Sequence, residues 1–65
     1  MQPHVERMIA EREELSDKVT KLEEFILHNS FYAGLPECKQ ILLQKQFEAM
    51  VTYEEILTER ISLEQ

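Results

Sequence analysis

Helix-breaking residues stand at three positions only, Pro3, Gly34 and Pro36. Between Pro3 and Gly34 nothing interrupts a helix, and beyond Pro36 nothing does either, so the chain can fold into little except two long rods and a hinge. The apolar residues Val5, Met8, Leu15, Val19, Leu22 and Ile26 fall at steps of three and four once Arg12 is counted with them. That is a heptad seam with one charged place. Pro3 suits the first turn, where its missing N–H costs nothing. The spacing predicts a helix over 3–29, a loop over 30–35 and a second helix over 36–64, opened by Pro36 with Glu37 against the helix dipole. So brief a connection makes the rods antiparallel neighbours. The expected fold is all-α: one antiparallel two-helix, coiled-coil-like hairpin domain over 1–65. Phe31 and Tyr32 are expected to plug its closed end, the other reading being an exposed binding tip.

A chain of 65 residues buries a small share of its surface, and domains of this size usually need a staple or a partner chain. Cys38 is the one cysteine, so no intramolecular disulfide forms, and His4 and His28 lie outside any zinc-ligand spacing. Neither metal nor cofactor is expected. Self-association is the remaining remedy, and the second helix offers the surface for it. One stripe there is Leu43, Met50 and Leu57, with Gln46, Tyr53 and Arg60 in the alternate places; another is Leu42, Ala49, Ile56 and Leu63; a shorter one joins Phe47, Val51 and Ile61. A single partner helix covers one stripe, so Leu42, Phe47, Ala49, Ile56 and Leu63 are expected to meet other copies in a homo-oligomeric helical bundle.

Thirteen acidic residues against seven basic ones leave a formal charge of −6. A field of that sign disfavours nucleic acid and anionic membrane surfaces. No apolar run approaches the ~20 residues of a membrane span, and the first residues lack the order of a signal peptide. With a free thiol and no export signal, cytoplasm is the expected compartment.

If residue i of the first helix lies across from a residue near 65 − i, Leu22 meets Leu43, Leu15 meets Met50 and Arg12 meets Tyr53, within about a turn. Arg12, Gln46, Tyr53 and Arg60, with Glu11 and Glu14 nearby, then form a constellation that folding alone does not demand. A buried arginine needs a carboxylate, an aromatic partner or a ligand anion. Three readings stand: a polar network that sets register and oligomer state, a pocket in which arginines hold phosphate, tyrosine stacks on a base and glutamine reads an edge, or an Arg12 that reaches out to solvent and has no role. Catalysis is not expected. Adjacent pairs such as Glu13–Glu14 point to different sides of a helix, Cys38 has no oxyanion hole beside it, and glycine-rich phosphate loops are absent.

The order VERMIAEREELSDKVTKLEEFI, a short break, then LPECKQILLQKQFEAMVTYEEILTERI resembles a family of very small phage and prophage helical-hairpin proteins named after a crAss-like phage relative. The resemblance runs over nearly the whole chain, through Glu11, Glu14, Leu15, Lys18, Lys21, Leu22 and Phe25, then Leu35, Pro36, Leu42, Leu43, Gln46, Met50, Tyr53, Leu57, Arg60 and Ile61. It implies phage origin, a helical hairpin and no catalytic motif. Small phage proteins of this shape include oligomeric sponges that sequester cyclic-nucleotide or ADP-ribose-type immune signals. The expectation is therefore a non-enzymatic anti-defence accessory protein acting in the host cytoplasm, holding such a signal at Arg12, Gln46, Tyr53, Arg60 and Lys18. The alternatives are a module that blocks a host defence protein, or a structural phage accessory oligomer.

Overall fold

The computed structural model describes residues 2–65, which form α1 (Pro3–His28), the single turn α2 (Ser30–Ala33) and α3 (Glu37–Glu64). Among the described residues there is no strand. The molecule is a rod of 46 × 15 × 13 Å, a little longer than the ~42 Å that the 28 residues of α3 span at 1.5 Å rise.

Local chemistry sets the ends. Gln2 is extended, and its carbonyl accepts from the N–H groups of Val5 (3.0 Å) and Glu6 (3.1 Å), with Pro3 as the first helical residue. Asn29 ends α1 with an extended backbone, and its Oδ1 then accepts the Phe31 N–H at 2.8 Å, capping α2. One asparagine thus stops one helix and starts the next, which is why the expected loop contains a helical turn. Pro36 is the cap of α3 and not its first residue; its carbonyl accepts from Lys39 at 2.9 Å and Gln40 at 3.1 Å. Gly34 sits at φ −86°, ψ −5°. A Cβ there would meet only ordinary contacts at 3.7 Å or more, so the hinge does not depend on glycine's conformational freedom.

Tyr32 locks the hinge. Its ring meets Phe25 edge to face at 6.1 Å, its carbonyl accepts from Gln40 Nε2 at 2.8 Å, and its hydroxyl accepts from Gln44 Nε2 at 2.7 Å. Phe31 corrects the expected aromatic plug: it is 78% exposed. Successive residues of a helical turn point about 100° apart, and of the two rings only Tyr32 is half-buried.

α1 packs along α3. Val5, Met8 and Ile61 form a buried cluster flanked by Ile9, while Leu15 and the fully buried Leu57 carry the seam inward. His4 Nε2 lies 3.4 Å from Glu64 at the open end. These contacts place α3 about one turn further along α1 than the 65 − i estimate. They also correct which residues of α3 fill the seam. Gln40, Leu43, Phe47, Met50, Glu54, Leu57 and Ile61 are the half-buried or buried row, whereas Gln46, Tyr53 and Arg60 are exposed. Both sets alternate correctly with Leu43, Met50 and Leu57; Phe47 and Ile61 prevail because they hide far more apolar surface than Gln46 and Arg60.

Candidate ligand-binding face

On α3 the residue preceding each seam residue is turned back by about 100°. That row reads Leu42, Gln46, Ala49, Tyr53, Ile56, Arg60 and Leu63, and every member is exposed. Leu42 is 64% and Leu63 87% accessible, with Ile56 and Tyr53 between them at 49% and 42%. The spacing of four and three makes it a second heptad seam with no partner in the chain. The residues expected at an oligomer interface and three expected at a ligand therefore lie on one continuous strip. Phe47 is the exception and a correction: it is half-buried in the α1–α3 seam, so an outer contact cannot use it freely.

Because the helices are antiparallel, the residue before each seam residue of α1 turns to the same flank as the outer row of α3. Lys18 belongs there. With Met8 level with Ile61, a uniform rise puts Lys18 within roughly half a turn of Tyr53. The same geometry assigns Arg7, Lys21, Lys39 and Arg60 to this flank, all exposed, along with the carboxylates Glu11 and Glu14. Five of the seven cations thus lie on this flank; Glu11 and Glu14 share it, Asp17 reaches it with Oδ2 3.1 Å from Lys21 Nζ, and Glu24 lines a hollow together with Lys21. Arg12 and Lys45 are left with the other nine carboxylates. The acidic charge is concentrated on the rest of the rod, and anions approaching within a screening length of about 10 Å respond to the near side. Lys21 is thus partly engaged.

Arg12 is not part of this group. It is half-buried and lines a separate hollow of about 310 Å³ with Glu13, Ser16, Glu54 and Thr58, on the opposite flank of the seam. The structure therefore does not gather Arg12, Gln46, Tyr53 and Arg60 within one chain. Glu54 is the seam residue that sequence reasoning missed. Its Oε2 is cut off from solvent without a hydrogen-bond partner. An unsatisfied buried oxygen costs about 1–3 kcal/mol. We expect Glu54→Leu to raise the melting temperature by several degrees, a gain of about 1–2 kcal/mol in a domain of this size. A lower melting temperature in circular dichroism would show that Glu54 is satisfied in solution.

Cys38 is exposed. Among the described residues no three His, Cys, Asp or Glu side chains gather as a metal site, and no helix is long and apolar enough to cross a membrane.

A paired-helix rod with an exposed apolar strip along α3 defines a small all-helical hairpin protein. The chain belongs to the Sequestin family, whose model matches residues 2–63. No curated protein and no solved structure matches it.

Proposed function

We propose that copies of the hairpin associate through the outer row of α3 and hold a small anionic nucleotide, a cyclic nucleotide or an ADP-ribose-type signal, withholding it from its receptor without transforming it. One observation carries this reading: Gln46, Tyr53 and Arg60 alternate with Leu42, Ala49, Ile56 and Leu63 along one exposed row of α3. Arg60 and Lys18 would hold phosphate, the Tyr53 ring would stack on a base and Gln46 would hydrogen-bond its edge. The interleaved apolar residues would close the site by docking another copy, giving the enclosure that an open rod lacks. The family's name supports a sequestering role. The resemblance to small phage proteins supports a phage origin and an anti-defence task in the host cytoplasm. Arg12, in its separate hollow, is left to register and not to the ligand.

The test is a thermal-shift panel of cyclic mono- and dinucleotides and ADP-ribose isomers, paired with native mass measurement of protein purified from host cells. A ligand should raise the melting temperature, Arg60→Ala and Tyr53→Ala should abolish the rise, and Arg12→Ala should leave it. A flat panel with no nucleotide in the native mass spectrum would reject the reading. A stoichiometric host protein there instead would favour a module that blocks a protein.

A further inference from the structure

We infer that two copies pair antiparallel through α3 about a two-fold axis passing near residue 51, so that the nucleotide site is built from both chains. The inference rests on the proposed association through this row and adds its geometry. In an antiparallel pair the seam places of one helix interleave with those of the other. Centring the axis near residue 51 sets Ala49 against the partner's Tyr53 and Gln46 against the partner's Ile56, a small or slender side chain facing a large one each time. Leu42 then lies along the aliphatic stem of the partner's Arg60, whose guanidinium reaches past it.

The strip's outer border decides between directions. Lys45 and Glu59 are exposed and stand on the same side of it, at nearly equal distances from residue 51 on either hand. Antiparallel pairing brings Lys45 beside the partner's Glu59, and symmetry makes the contact twice. Parallel pairing brings neither contact and stacks Arg60 upon its own copy. The antiparallel pair also brings both copies' Tyr53 and Lys18 to the middle of the interface, where the two lysines repel each other until an anion lies between them. Ligand and association are then linked, each strengthening the other.

The experiment measures self-association of the full chain by sedimentation for Lys45→Glu, Glu59→Lys and the double exchange. Net charge alone predicts that the first weakens association and the second strengthens it. Pairing predicts that each weakens it by about tenfold and that the double exchange restores it. A short bismaleimide should link Thr52→Cys in a Cys38→Ser background. It should not link the native Cys38 pair, which the antiparallel arrangement holds about 39 Å apart along the axis at 1.5 Å per residue. Association without charge rescue, or efficient linkage through Cys38, would overturn the antiparallel geometry and leave the proposed association standing. A wild-type chain that stays monomeric at every concentration would overturn both.

Discussion

Leu57→Ala should leave a chain that is largely unfolded at micromolar concentration. Leu57 is fully buried, and the core is small: Val5, Met8, Leu15 and Ile61 are the other buried apolar residues among those described. Truncating a buried leucine costs about 2–5 kcal/mol, because the lost transfer energy is joined by that of the cavity left behind. A 65-residue domain has roughly 3–10 kcal/mol to lose at about 0.05–0.15 kcal/mol per residue. The expected result is loss of most helical circular dichroism at 25 °C, partly recovered at high protein concentration if copies stabilise one another. Leu63→Ala supplies the contrast. At 87% exposure it removes little from the isolated hairpin. A Leu57→Ala protein that melts within a few degrees of wild type would mean that the α1–α3 seam is not what holds the fold.

Ile56→Gln should have the opposite profile, with an intact hairpin and lost assembly. Ile56 is half-exposed in the chain, so the substitution changes the hairpin by about 0.5 kcal/mol or less. In a symmetric interface the same change enters once from each copy. Losing part of an isoleucine's burial twice amounts to about 2–4 kcal/mol, which weakens self-association by roughly 30- to 1,000-fold. Sedimentation equilibrium reads the change, and circular dichroism at one concentration checks that helicity is retained. An unchanged association constant would move the contact away from the outer row of α3, to Phe31 or Leu27, which are also exposed.

These opposite outcomes for adjacent residues show where sequence reading stopped. In α1 the stripe through Val5, Met8, Arg12, Leu15, Val19, Leu22 and Ile26 is the one apolar row that runs the whole helix, Ile9, Phe25 and Leu27 being isolated beside it, so periodicity alone picks out the seam. α3 carries apolar residues on two adjoining flanks. Leu43, Met50 and Leu57 serve equally with Gln46, Tyr53 and Arg60 or with Phe47, Glu54 and Ile61, since each set completes a heptad. The larger apolar area of Phe47 and Ile61 was the available clue, weakened by the carboxylate of Glu54 in the same row.

The sequence by itself determined two long helices, the place of the hinge, the charged place at Arg12 and the surplus of apolar surface on α3, because breakers and heptad spacing act within one segment. Only the tertiary structure decided which side of α3 faces inward. That choice sent Arg12 to one flank and Tyr53 and Arg60 to the other. The reason is geometric: a shift of one residue turns a helix by about 100°, and local periodicity is blind to that rotation when two neighbouring stripes are both apolar.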